Sequence, residues 1–344
     1  MATEKARADL YLGGPATVDV LLAELAGLRA GAGREIAAGV VSLAPGVVVD
    51  PAFARQVLPA ATEHRATHHN ELAAAILEQH GLVADVEVSV PEAERRGSRA
   101  LEVHPLASAG VELQALLATK VAGRAAKRGE PVRSDARLRV LLLEPWRAWC
   151  SVTPHASGPP LLAWPSPFPG GRALGEEQKD APSSAHRKLD EAIAWLGVTP
   201  SERDLVLDLG AAPGGWSSVA LSYGAQVVAV DRAELDPRVL AHPRLTHLKK
   251  DAFGDLSGYA PSWLLCDVIA APERSFELAR HALQRRALAA LVVTLKLKRP
   301  VAFDVVKAAR ALAQKTPGFW GRCKNLVGNK LEVSLLMRRA DAAP

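Results

Sequence analysis

From residue 204 onward, apolar runs alternate with segments of helical spacing. Asp204–Asp208 reads as a strand and Gly215–Tyr223 as the helix after it. Gln226–Asp231, Leu245–Lys249 and Ser262–Asp267 read as three more strands, and Phe276, Leu278, Ala279 and Leu283 place a helix over Glu273–Gln284. Leu288–Lys296 is apolar up to its terminal lysine, as expected of a strand buried on both faces at the centre of a parallel sheet. A helix over Phe303–Gln314 and a strand over Lys330–Arg338 complete the series. Such alternation predicts an α/β fold, a doubly wound, mostly parallel sheet with helices on both faces.

The first half is less regular. Amphipathic spacing predicts helices over Thr17–Leu28, Glu71–Gln79 and Ala109–Ala126, and strands over Val83–Val90, Leu101–His104 and Leu138–Leu143. An α+β region over 1–160 is expected, then a Pro/Gly-rich linker over 161–182, then the α/β domain over 183–340. The length of 344 residues suits two domains. No apolar run is long enough to cross a bilayer, and the first residues, MATEKARADLYLGG, lack a secretory layout. Three widely spaced cysteines, Cys150, Cys266 and Cys323, offer neither a disulfide framework nor a CxxC pair. They suit the cytoplasm, and no metal site is expected. The net charge of +5 is compatible with a nucleic-acid partner without demonstrating one.

The candidate chemistry centres on Asp208–Trp216, DLGAAPGGW. A strand runs into a glycine turn and a helix start, where backbone N–H groups can approach a polar ligand. The turn matches neither the dinucleotide GxGxxG nor the phosphate-binding GxxxxGK[ST] pattern, and it has no lysine to hold a triphosphate. Asp231, ending the second strand, is placed to take ribose hydroxyls. Asp251, after the third, is placed to take an adenine amino group. A ligand with a ribose, an adenine and a charged amino-acid tail fits these parts, namely S-adenosylmethionine. Its contacts are expected from Asp208, Gly210, Ala212, Pro213, Gly214, Gly215, Trp216, Asp231, Asp251 and Asp267. The turn closely resembles motif I of class I methyltransferases, and its APGGW form resembles the FtsJ-like branch.

The fourth strand ends in CDVIAAPE, which lacks the Asn/Asp-Pro-Pro-aromatic motif of amino-directed nucleic-acid methyltransferases. Cys266 lies inside an apolar strand and reads as structural rather than as a nucleophile. FtsJ-like ribose 2′-O-methyltransferases use a Lys-Asp-Lys-Glu set. The resemblance assigns these roles to Lys188 in SSAHRKLDEA, Asp267, Lys296 in TLKLKRP and Glu332 in KLEVSLLMRR. Lys296 would be the base or the orienter of the hydroxyl, with Lys188 and burial lowering its pKa and Asp267 opposing them. Glu332 would orient Lys188 or the sugar.

The resemblance extends along the chain. DPAFARQVLPA, DAPSSAHRKLDEA, CDVIAAPE, TLKLKRP and EVSLLMRR occur in an order similar to that of the bacterial large-subunit rRNA 2′-O-ribose methyltransferase M (RlmM-type) family. That family carries a THUMP-containing RNA-binding region before its methyltransferase domain, and the resemblance implies a cytidine of 23S rRNA as target. Two features depart from it: Lys298 follows Leu-Lys-Leu where proline is common, and LVGNKL precedes Glu332 without a His-Asp-Arg pattern. Lys120, Arg124, Lys127, Arg128, Arg133, Arg137 and Arg139 form a basic run that is either a phosphate-contacting surface or a solvated face. Trp146, Trp149, Trp164 and Phe168 are either packing residues or stacking platforms for unpaired bases. Arg299, next to Lys298, is a candidate phosphate contact. A methyltransferase of a small molecule or of another RNA is the alternative function. It leaves the two strand-linked lysines unexplained.

Overall fold

The strands of the second half share one orientation except the last, which runs back between two of them. The computed structural model describes residues 6–28, 31–92, 104–155, 181–326 and 329–341. The chain divides into two compact units, Met1–Arg172 and Ala173–Pro344. Apart from its last two residues, the expected linker over 161–182 lies outside the described residues, as do Trp164, Phe168 and the expected strand at Leu101–His104 except His104 itself.

The first unit is built on β1 (Arg7–Leu12), β2 (Arg34–Ala37), β3 (Val40–Leu43), β4 (Gln56–Arg65), β5 (Leu82–Ser89), β6 (Val132–Glu144) and β7 (Arg147–Pro154). They form a seven-stranded sheet in the order β2-β3-β1-β4-β7-β6-β5. Only the β5–β6 pairing is parallel. Its helices are α1 (Val18–Leu28), α2 (His69–His80) and α3 (Ala107–Arg128). Side chains alternate across the sheet. Leu138, Val140 and Leu142 of β6 join Leu72, Ile76 and Leu77 of α2 and Leu113 and Leu117 of α3 in one core. Leu141 lies in a second core with Leu10, Leu58 and Trp149. The predicted helices are present, and β6 is longer than expected. The sequence reading placed no strand at β1 to β4 or at β7. Pro59 and the polar residues of Gln56–Arg65 hide the period in β4, where Leu58 and Ala61 are nonetheless fully buried.

The second unit contains β8 (Leu205–Leu209), β9 (Gln226–Val230), β10 (Leu245–Leu248), β11 (Trp263–Cys266), β12 (Ala290–Lys296), β13 (Phe319–Lys324) and β14 (Glu332–Arg339). Its helices are α4 (His186–Leu196), α5 (Gly215–Ser222), α6 (Pro237–Leu240), α7 (Pro272–Ala282) and α8 (Phe303–Lys315). The sheet order is β10-β9-β8-β11-β12-β14-β13. β8 to β12 are parallel, while β14 runs antiparallel between β12 and β13. This is the expected doubly wound α/β fold, with β13 and the short α6 added. The helices pack in two groups, α4 with α5 and β14, and α7 with α8 and β12. β12 is buried along its length until Lys296, which is only partly covered. Among the described residues, no helix is long and apolar enough to cross a membrane.

Asp208 joins the first strand of this sheet to the helix after it. Its side chain is buried and accepts a hydrogen bond from Ser217 Oγ at 2.7 Å. Burial pushes its pKa from 3.8 up to about 7; the Ser217 hydroxyl opposes the shift, and the nearby carboxylates of Asp267 and Asp231 add to it. The native chain therefore binds the Asp208 proton up to about pH 7, whereas the unfolded chain releases it near 3.8. The resulting stabilisation is complete below the unfolded value and is lost as pH rises through the folded one. Asp208→Asn keeps an acceptor for Ser217 and removes this titration. The stability of the wild type relative to this variant, measured by urea unfolding at about pH 5 and about pH 8, should fall by a few kcal/mol across that interval, at roughly 1.4 kcal/mol per pKa unit. Equal differences at both pH values would refute the assignment.

Candidate functional site

The parallel strands deliver their C-terminal ends to one rim of the sheet, where doubly wound folds bind ligands. Gly210 follows β8 at this rim, Asp231 follows β9, Asp267 follows β11 and Lys296 closes β12. Because β14 is antiparallel, its first residue reaches the same rim, and Glu332 is the direct cross-strand partner of Lys296. Lys188 comes from the first turn of α4.

These four charged side chains meet. Lys188 Nζ lies 3.3 Å from Asp267 Oδ2 and also donates to Glu332 Oε1. Lys296 Nζ donates to Glu332 Oε2 at 2.7 Å and to Asp267 Oδ1. Each carboxylate thus binds both ammonium groups, and each ammonium binds both carboxylates. The ring is largely covered, with side-chain exposures of 13% for Lys188, 15% for Asp267, 22% for Lys296 and 8% for Glu332. Burial alone would pull the Lys296 ammonium down, but Asp267 and Glu332 outweigh it and hold the group above its ordinary value. This corrects the expectation that Lys188 and burial would lower it: two adjacent carboxylates dominate one neighbouring cation. For Glu332, burial raises the pKa, and Lys188 and Lys296 bring it below the usual carboxylate value. Asn325, fully buried just after β13, donates to the Glu332 carbonyl at 2.7 Å and the Lys330 carbonyl at 3.0 Å, fixing the start of β14. The sequence reading missed this brace; the only signal was a short alternation over Phe319–Lys324, interrupted by Gly321.

The glycine turn lies beside this ring in the fold. Gly210 adopts φ +77°, and a Cβ there would approach Val268 Cγ2 to 2.8 Å, so the close passage of the two loops requires glycine. Gly214, at φ +110°, sits immediately before α5. Pro213 follows Ala212 through a cis peptide bond. Asp231 accepts from the N–H groups of Ala212 at 3.0 Å and Ala233 at 2.9 Å, holding the turn against the end of β9. Gly215 packs close to Ser183, where a Cβ would come within 2.4 Å of its Oγ. Trp216 is buried, and its indole N–H donates to Ala185 O at 2.9 Å. Its contact in the structure is therefore with the segment leading to Lys188. Asp251 accepts from Phe253 N at 2.9 Å and pairs with the exposed Arg232 at 2.6 Å.

The remaining candidates resolve individually. Burial drives the Cys266 thiol up to about 12, in keeping with a structural role. Trp149 packs in a core cluster, whereas Trp146 is 48% exposed. The basic run does not form one uncompensated face. Arg124 pairs with Glu130 at 2.6 Å, and Arg133 with Asp135 at 3.3 Å. Arg137 reaches Asp85 at 2.7 Å and Glu87 at 3.3 Å, and Arg139 is buried against the carbonyl of Val57. The parallel register places Asp85 beside Arg137 and Glu87 beside Arg139, a pairing invisible in linear sequence. A cavity of about 440 Å³ lies in the second unit, lined by Phe253, Leu256, Arg274 and His281 among others, and no residue of the charged ring lines it.

Comparison with known proteins bears on this arrangement. Residues 182–316 match the model of the FtsJ-like methyltransferase family. The Ribosomal RNA large subunit methyltransferase M of Alkalilimnicola ehrlichii is 33% identical over 214 residues, covering 60% of this chain and 57% of that protein. The protein of the same name from Halorhodospira halophila is 30% identical over 215 residues, covering 61% of this chain and 59% of its own. The matches thus span less than two thirds of these relatives. The crystal structure of TrmN from Thermus thermophilus aligns at 18% identity over 97% of this chain and 100% of that one, with a TM-score of 0.32. Residues 182–316 are thus similar to FtsJ-like methyltransferases, and the chain is similar over part of its length to large-subunit ribosomal RNA methyltransferases M.

Proposed function

We propose that this chain transfers a methyl group from S-adenosylmethionine to a ribose 2′-hydroxyl of RNA, with a cytidine of 23S rRNA as target. The observation that carries this reading is the closed ring of Lys188, Asp267, Lys296 and Glu332 at the rim that also holds the glycine turn. The relatives' names support ribosomal RNA as the substrate class. The reading places RNA affinity in a THUMP-like region over 1–160, followed by a linker over 161–182 and the catalytic domain over 183–340, in a cytoplasmic protein. Lys127 and Trp146, both exposed, are available to RNA in the first unit.

The residues at the rim suit the cofactor. Asp267 and Asp231 both raise the Asp208 pKa, so three carboxylates share one electrostatic neighbourhood, which a ligand carrying ammonium and sulfonium charges relieves. The start of α5 offers N–H groups for the cofactor's carboxylate, and the glycines keep that approach open. Asp231 would hold the ribose hydroxyls and Asp251 the adenine amino group. When bound, S-adenosylmethionine supplies an electrophilic methyl on sulfur.

The chain's own residues act on the hydroxyl. An ammonium carries three N–H donors, and Lys296 directs two to Asp267 and Glu332. The third can hold the 2′-oxygen in line for attack and stabilise charge developing on it, while the hydroxyl proton passes to water. With Asp267 and Glu332 holding its pKa above the ordinary lysine value, Lys296 meets the substrate as a cation. It therefore serves as an orienter and electrostatic stabiliser rather than as a neutral amine base. Lys188 keeps both carboxylates from repelling each other, and Glu332 fixes both lysines.

Transfer of labelled methyl to 23S rRNA, followed by analysis of nuclease-resistant dinucleotides, should place the label on a single ribose. Cofactor binding without label on free or ribosome-bound rRNA would overturn the proposed substrate. Lys296→Ala should lower turnover by on the order of 10²- to 10⁴-fold, while calorimetry shows cofactor affinity nearly unchanged. The turnover of the wild type should show no inflection from this lysine near neutral pH, because Asp267 and Glu332 hold its pKa above the ordinary lysine value. Full activity in Lys296→Ala would remove the residue from the mechanism, and a lysine-dependent inflection near pH 7 to 8 would restore the amine base.

A further inference from the structure

The first unit gathers three potential metal ligands from three separate elements. His64 lies on β4, Cys150 on β7 and His80 at the end of α2. β4 and β7 are paired with Thr62 opposite Cys150, so His64, two residues further along β4, emerges on the same face. α2 packs against both strands, and its last residue closes the triangle. One nitrogen of each histidine and the sulfur of Cys150 all lie within 4.8 Å of one another. His64 Nε2 and His80 Nε2 are 3.2 Å apart. His64 is 1% exposed and Cys150 is fully buried, while His80 is half-buried.

We infer that His64 Nε2, His80 Nε2 and Cys150 Sγ form a zinc-class metal site. Two imidazole nitrogens on a tetrahedral zinc, with bonds of about 2.05 Å, stand about 3.3 Å apart, close to the separation seen here. A mixed nitrogen and thiolate donor set selects a borderline or soft ion over magnesium or calcium. On binding, Zn²⁺ displaces the Cys150 thiol proton to solvent, and the histidines coordinate as neutral rings. Three protein ligands leave a fourth position for water or hydroxide. Beside it, Thr62 Oγ1 lies 3.1 Å from His80 Nε2. A cavity of about 350 Å³ lined by His80, Thr62, Ser151 and Arg7 provides a route for the ion, and Arg7 supplies a counter-charge for an anionic fourth ligand. The bound ion would clasp the end of α2 to two central strands of the sheet.

Cobalt(II) is a direct probe, because tetrahedral thiolate coordination gives intense visible bands and a sulfur-to-cobalt charge-transfer band. The full-length chain, stripped with chelator and titrated with Co²⁺, should develop both features at one equivalent, and Zn²⁺ should bleach them. His80→Ala, at a half-buried helix end, should weaken binding at least tenfold with the fold retained by circular dichroism. Cys150→Ser should lose the charge-transfer band while keeping weaker visible bands. Zinc should raise the thermal unfolding midpoint of the wild type by several degrees and leave His80→Ala unchanged. Absence of the cobalt bands in the folded wild type, or equal binding by His80→Ala, would reduce the cluster to a histidine–histidine hydrogen bond beside a buried thiol.

Discussion

Four opposite charges, drawn out of water into one closed circuit, set the terms for the second unit. Each pair alone would be a poor bargain, since desolvation offsets much of the attraction between buried ions. The circuit succeeds because every carboxylate oxygen engaged accepts from a lysine and every lysine is shared. Removing any one member leaves the opposite charge in excess in a largely covered site. The surrounding elements follow from this need. Parallel strands bring Asp267 and Lys296 to the rim, Asn325 fixes the start of β14, and the Trp216–Ala185 hydrogen bond anchors the approach to α4 and hence Lys188.

The same rim shows how environment sorts identical groups. Asp208 and Glu332 are both buried carboxylates, but burial dominates the first and pairing with two lysines dominates the second. Asp208 holds its proton up to about pH 7 and bonds a serine, which suits a residue that ties strand to helix. Glu332 remains charged, which suits one that must position cations.

The α/β half was legible because its central strands are buried on both faces and their ends carry the chemistry. Lys296 stands out at the end of an apolar run, and the antiparallel partner of that run begins with Glu332. The first unit was less readable. β4 carries Pro59 and several polar side chains, and β7 mixes Trp149 and Cys150 with polar neighbours, so neither shows a clean period of two. The arginines of β6 left a phosphate-contacting surface and a solvated face equally open, because the partners of Arg137, Asp85 and Glu87, lie some fifty residues away on β5. His64, His80 and Cys150 escaped notice for a related reason. Motif spacing finds ligands within one local segment, and these three meet only when a helix end is laid across two paired strands.

The reversed strand β14 carries a consequence for how this gene can vary. Side chains in a strand face alternate sides, so inserting or deleting one codon within Glu332–Arg339 would shift the phase between the lesion and the rest of the strand. Near its start, such a frame-preserving indel would exchange Glu332 for a neighbour of the opposite facing, against an unchanged Lys296. Length variation should therefore accumulate in the turn before this strand and be excluded from the strand itself. Substitution and indel tolerance would then diverge along the same short segment.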